Sequence, residues 1–328
     1  MNITTAILRY LQCTHRASRI DDPVFLAAGE YNANYLVHLD GRDIVFRINH
    51  GSQLGLSNQI EYEFHVLEAV APSGVTPQPY WYDVAPEKQF GLDKGCLAME
   101  YIPGRALQYE RDLTRAADIF ARIHALPTVQ AAPHLIHQHH PIADIARESL
   151  GLIQRFPDHP RDAERSKLLD YHDTIIKLAD ETSHIFKADT DVIVNTEVNS
   201  GNFLISPERA CLVDWEKAVI SSRYQDLGHF CVPTTTLWKT DHKLSAKEKE
   251  TFLCAYRSGL LEHEAQNVPE LDVLREGTAL LERTILLRAL SWCFMAWYEY
   301  TQVERSLKNE ETFRKITSYL DNMEWFFA

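Results

Sequence analysis

Apolar positions along the chain change period twice. Over residues 2–16, Ile7 and Leu11, with Tyr10 beside them, recur at the spacing of one helix face. From Val24 the period shortens, giving apolar runs over 24–28, 34–39 and 44–48. Asp40-Gly41 separates the last two. Asp-Gly between β-like runs predicts a tight hairpin, because both residues tolerate positive φ. Residues 24–48 therefore read as three antiparallel strands. Helical spacing returns over 58–71, where Ile60, Phe64, Leu67 and Val70 share a face. Pro72-Ser73-Gly74 ends it, since Pro72 cannot continue the backbone ladder and Gly74 favours a turn. Two more strand-like runs follow, 79–82 and 96–102, the second closed by Pro103-Gly104.

Beyond Gly104 the pattern predicts helices over 113–126, 141–156, 161–187, 246–260, 268–302 and 308–327. One strand-rich island interrupts them at 192–215: an apolar strand, a polar loop, a short strand, a tight turn and a third strand that delivers Asp214. This shift of pattern predicts an α+β chain in two lobes, a small β-rich lobe over 1–103 and a larger, mostly helical lobe over 104–328. The most apolar long stretch, 284–298, is too short to span a bilayer and contains Arg288, so it reads as a buried helix.

Composition narrows the function classes. The 328 residues carry 33 Lys+Arg against 46 Asp+Glu, a formal net charge of −13, with 45% hydrophobic residues. These values fit a folded soluble protein of two lobes. The acidic balance disfavours a nucleic-acid partner, which requires a basic face. No basic start followed by an apolar block and a cleavage site is evident, so a cytoplasmic protein with no membrane partner is expected. The six cysteines show no Cys-x-x-Cys spacing and read as reduced thiols.

The island carries the chemistry. Glu197, Asn202 and Asp214 could meet at the ends of adjacent strands. Carboxylate and amide oxygens on one rim suit a hard Mg²⁺ ion, and a further carboxylate can take a proton from an attacking hydroxyl. No GxxxxGK[ST] loop and no nucleophile elbow occur. His134, His137, His139 and His140 crowd one segment with no cysteine or acidic residue before Asp144, and read as a solvated loop. Trp292, Trp297, Tyr298 and Tyr300 on a late helix read as core or as pocket lining.

Asn195-Thr196-Glu197, Asn202 five residues after Glu197, and Asp214-Trp215-Glu216 resemble the catalytic loop (His-Gly-Asp-x-x-x-x-Asn) and the Asp-Trp-Glu segment of the aminoglycoside phosphotransferase and choline kinase family. The likeness runs in order from about residue 24 to residue 230. It implies a bilobal protein-kinase-like fold and a small-molecule kinase using ATP, or another nucleoside triphosphate, with Mg²⁺ and a hydroxyl substrate. It implies Glu197 as the catalytic carboxylate and Asn202 and Asp214 as metal and nucleotide ligands. The strand-connecting loop from Gly29 to Asn34 is implied as the nucleotide loop. Arg47 would hold the α/β-phosphates, paired with Glu63 or, failing that, Glu61. Backbone groups of Glu100, Tyr101 and Ile102 would meet the adenine. Asp226 would brace the catalytic loop, its other reading being a helix N-cap. His124, in the family's leucine-histidine helix, is expected to be structural. The departures are Glu197 where the family has Asp and Asn195 where it has His. They leave two readings, an active kinase and a nucleotide-binding regulator without turnover.

Overall fold

A computed structural model describes residues 2–14, 19–29, 31–129, 131, 133–302 and 309–327. Residues 15–16 of the first predicted helix, Glu30 of the strand-connecting loop and residue 308 lie outside these. Helix α1 (Ile3–Thr14) precedes strands β1 (Val24–Ala28), β2 (Asn32–Leu39) and β3 (Arg42–Asn49). Helix α2 (Gln59–Val70) leads to β4 (Pro79–Asp83) and β5 (Cys96–Glu100). The five strands form one antiparallel sheet in the order β1-β2-β3-β5-β4. Asp40 and Gly41 turn the β2–β3 hairpin with φ of 48° and 85°, the two positive values that a tight hairpin turn of matching twist requires.

Period-2 alternation gives this sheet two different faces. Ile44, Phe46 and Ile48 of β3 and Cys96 and Ala98 of β5 pack with Tyr10 and Leu11 of α1. Leu97 and Met99 point the other way, into a core that contains Ile60, Val66, Leu67 and Val70 of α2 and runs on through the helical part of the chain. Arg47 falls on this second face, toward α2.

The rest is mostly helical: α3 (Tyr109–His124), α4 (Pro141–Gln154), α5 (Asp162–Lys187), α6 (Tyr224–Cys231), α7 (Pro233–Lys239), α8 (Ala246–Glu262), α9 (Leu271–Gln302), α10 (Glu310–Asp321) and α11 (Met323–Phe327). Between them lie β6 (His137–Gln138), β7 (Asp191–Val194), β8 (Phe203–Ile205), β9 (Ala210–Leu212) and β10 (Val219–Ser222). β8 and β9 form a hairpin, and β10 lies between β6 and β7 in a three-stranded sheet. The pattern does not announce β6, β10, α6 or α7, and the helix predicted over 308–327 is broken at Asn322. α9 is the buried helix that the 284–298 stretch predicts, and among the described residues no helix is long and apolar enough to cross a membrane. It packs tightly on α6. A Cβ at Gly228 would stand 2.7 Å from Leu281 Cβ and 2.8 Å from the Glu282 backbone nitrogen, so only glycine permits the approach. All six cysteines are free thiols, four of them buried.

Candidate active site

The segment that follows β7 is held from every side. Asp226 is in the first turn of α6, and its two oxygens accept the backbone N–H groups of Asn195 (2.9 Å) and Thr196 (2.8 Å). It therefore braces the loop and is no helix cap. His124 supports it from α3, with Nε2 3.4 Å from Asp226 and Nδ1 2.8 Å from the Tyr256 hydroxyl. Burial pushes the His124 imidazole down, and its place is structural, as the sequence suggests.

Asn195, in the family's histidine position, is fully buried and works as a clamp. Its Nδ2 donates to the Asp214 carbonyl (2.9 Å), and its Oδ1 accepts the Glu197 N–H (3.0 Å). Asn202 Nδ2 donates to the Glu197 carbonyl (2.6 Å), which leaves Oδ1 as the amide's acceptor. Thr196 has a φ of 66°, a conformation that a β-branched residue adopts at a cost of about 1–3 kcal/mol. Its surroundings enforce it: Oγ1 donates to the Lys217 carbonyl (3.0 Å), and Arg288 Nη2 donates to the Thr196 carbonyl (3.1 Å). Asp214 also has a φ of 66°. Both carboxylate-bearing segments thus turn on left-handed residues, a pattern that concentrates at functional sites.

The loop and the irregular segment after β9 bring three carboxylates together. Ligand oxygens of Glu197, Asp214 and Glu216 all lie within 4.8 Å of one another. Sequence reasoning gave Glu216 no role, although it stands two residues after Asp214. Its carboxylate accepts from Asn32 of β2, and its carbonyl accepts from Gln59 of α2 (2.7 Å). Trp215 between the two acids is fully buried, with its indole N–H on the Leu212 carbonyl (3.0 Å).

On the sheet side, Arg47 meets Glu63 in a buried ion pair and reaches Asp214 at 3.2 Å. Glu61 is not the partner; it takes the Tyr82 hydroxyl. Burial opposes the Arg47 charge, but Glu63, Asp214 and Glu216 outweigh it and hold the guanidinium above its ordinary value. Burial pushes the Glu63 carboxyl up in spite of Arg47. Asn34 Oδ1 accepts from Arg47 Nε (2.9 Å), so its side chain orients the arginine. The Glu100 N–H donates to the Gln78 carbonyl (2.8 Å) and its carboxylate pairs with Arg209, so a base would meet this residue at its carbonyl and not at its N–H. Tyr101 and Ile102 follow it outside the strand.

A cavity of about 1050 Å³ opens beside the carboxylates. Gly29, Glu197 and Asp214 stand in its wall, as do Trp238, Arg288 and Trp292. Tyr300 lines it too, whereas Trp297 packs at a tilt against His159 and under Arg161, and Tyr298 bonds Asp158. Burial, Arg288 and Lys217 push the His229 imidazole well down, so it stays neutral and accepts from Arg288 Nη2 (3.2 Å).

The three-carboxylate group has a consequence for pH. Burial first, and then Asp214, Glu63 and Glu197, push the Glu216 carboxyl from its ordinary 4.5 up to about 9. Between those values the folded chain holds a proton that the unfolded chain has released, so stability falls as pH rises through this window. The limiting slope for one proton is about 1.4 kcal/mol per pH unit. In metal-free buffer, Glu216→Gln is expected to flatten the decline between about pH 5 and pH 9. Chemical denaturation at a series of pH values measures it, and identical slopes for variant and parent would refute the assignment.

The model of the phosphotransferase enzyme family (APH) matches residues 23–267, and the chain belongs to that family. No curated protein matches. Among solved structures, a choline/ethanolamine kinase family protein from Mesorhizobium loti aligns with a TM-score of 0.63 at 16% identity, covering 98% of this chain and 94% of that one. The GDP and kanamycin complex of an aminoglycoside phosphotransferase, APH(2″)-IIIa, aligns at 0.64 and 14% identity, covering 97% and 98%. Spectinomycin phosphotransferase APH(9)-Ia, in complex with ADP and spectinomycin, aligns at 0.58 and 13%, covering 98% and 97%. At these identities the likeness is one of fold. It is the protein-kinase-like α+β fold expected from the sequence.

Proposed function

We propose that this chain transfers the γ-phosphoryl group of ATP, or of another nucleoside triphosphate, to a hydroxyl of a small molecule in the cytoplasm. The observation that carries the reading is the continuous polar line Glu63–Arg47–Asp214, joined to Glu197 and ending at a cavity large enough for an acceptor. The sheet region up to residue 103 would hold the nucleotide and the helical region from residue 104 the acceptor. Family membership and nucleotide-bound structures of the same fold support this.

The donor set suits a hard cation, since carboxylate and amide oxygens are what Mg²⁺ prefers. Asp214 and Asn202 would hold it, with Glu216 beside them, and it would neutralise charge on the phosphate oxygens. Arg47, oriented by Glu63 and Asn34, would grip the α/β-phosphates. Gly29 would lie against the nucleotide, and backbone groups of Glu100 (its carbonyl), Tyr101 and Ile102 would meet the base. Glu197 would align the acceptor hydroxyl and accept its proton. The acceptor oxygen then bonds to phosphorus, and the β–γ bridging oxygen leaves with the nucleoside diphosphate.

The test is nucleoside diphosphate release by the purified chain with Mg·ATP or Mg·GTP and a panel of sugars, amino alcohols and homoserine-like compounds. Acceptor-dependent release that Glu197→Ala abolishes is expected. Tight Mg·ATP binding with no acceptor-dependent release across the panel, unchanged by Glu197→Ala, would favour the regulator that binds without turnover.

A further inference from the structure

The histidine segment is not merely a solvated loop. The acidic partner that the sequence lacks nearby arrives from β7, more than fifty residues downstream. Strand β10 brings it there, pairing with β6 on one side (Ser221 opposite Gln138) and with β7 on the other (Ser222 opposite Asp191). His139, one residue beyond Gln138, is thereby level with Asp191 across Ser222, a residue small enough for the two side chains to meet over it. His137 and His139 are two residues apart in the same short extended stretch, and their rings lie 5.3 Å apart at 40°. One ligand atom from each of His137, His139 and Asp191 falls within 4.8 Å of the other two.

We propose that His137, His139 and Asp191 form a transition-metal site, suited to Zn²⁺ and distinct from the carboxylates of the active site. Two imidazoles and one carboxylate are ligands of the softness that Zn²⁺ and its neighbours select, whereas Mg²⁺ and Ca²⁺ take oxygen sets. The spacing is right for it. Zinc–ligand bonds of about 2.0 Å in a tetrahedron put neighbouring ligand atoms roughly 3.3 Å apart. His139 Nδ1 and Asp191 Oδ2 already stand 3.0 Å apart. Three protein ligands leave a fourth position for water.

The site would also be a clasp. It joins β6, and so the segment between α3 and α4, to β7, which runs into the catalytic loop. That segment touches α2 as well: the Ile136 N–H donates to the Tyr62 hydroxyl (3.1 Å), which donates to the Ala218 carbonyl (2.7 Å). His134 stacks on His65 of the same helix, ring centroids 4.3 Å apart.

The test uses the full chain without an affinity tag, with Zn²⁺ alone as the probe, by titration calorimetry and thermal melting, and with Co²⁺ for its visible spectrum. Expected are one Zn²⁺ per chain that persists in Asp214→Asn, a rise in melting temperature with Zn²⁺, and nitrogen-ligated Co²⁺ absorption. His137→Ala/His139→Ala should weaken binding at least tenfold, and the near-isosteric Asp191→Asn should weaken it without disturbing the melt in chelator. Stoichiometric binding that survives in the double-histidine variant, or binding lost in Asp214→Asn instead, would overturn the proposal. So would a parent chain that binds Zn²⁺ no better than the double variant.

Discussion

Asp214→Asn is expected to lower phosphoryl transfer by about three orders of magnitude and to leave the fold intact, because charge stabilisation at the transferring group is the largest part of such catalysis. Asparagine has the same shape and tolerates the left-handed backbone found at this position, a φ of 66°. Its Oδ1 can keep the contact that Arg47 makes at 3.2 Å. What it loses is a negative charge at the point where Arg47, Glu197 and Glu216 converge. The loss should therefore fall on turnover, with an unchanged circular dichroism spectrum and a melting temperature within a few degrees of the parent. A variant that retains more than a tenth of parental turnover would exclude Asp214 from the reaction.

Glu197→Asp should also be harmful, by about 100-fold in kcat, although it restores the residue the family ordinarily uses. The loop cannot move to compensate for a shorter side chain. Its backbone is pinned by Asp226 at Asn195 and Thr196, by Asn195 at the Glu197 N–H, and by Asn202 at the Glu197 carbonyl. Removing one methylene withdraws the carboxylate by more than an ångström, and misplacement of that size costs about two orders of magnitude. Glu197→Gln keeps the reach and loses the base, and is expected to fall by a further factor, within the roughly 10²–10⁴ attributed to general-base catalysis. Rates for the three chains against one acceptor decide the order. An aspartate variant faster than the parent would mean that this site is set for the shorter side chain.

Much of the fold could be read from local signals. Asp40-Gly41 specifies its hairpin because both residues can take the positive φ that the turn demands. Pro72 and Gly74 end α2 for reasons confined to a few residues, and Gly74 closes the turn at φ 72°. What stayed hidden depends on partners distant in sequence. β10 has only four residues and is a strand because β6 and β7 flank it. α6 and α7 are short, with only Val232 between them and Pro233 opening the second, and burial against α9 makes them helical. Among the candidate residues, the meeting of Arg47 with Glu63 and the bracing by Asp226 could be anticipated from resemblance. The Asn195 clamp, Glu216 and the commitment of Glu100 to Gln78 and Arg209 could not, because each rests on a contact between segments that nothing in the local pattern links.

The two-faced sheet has a mechanical meaning. Leu97 and Met99 of the sheet, the apolar side of α2 and the helical part of the chain share one core. Arg47 fastens the sheet to the far side of it, gripping Glu63 of α2 and Asp214 of the segment after β9. The arginine is thus a rivet: a change that shifts the sheet against α2 would take it off both carboxylates together.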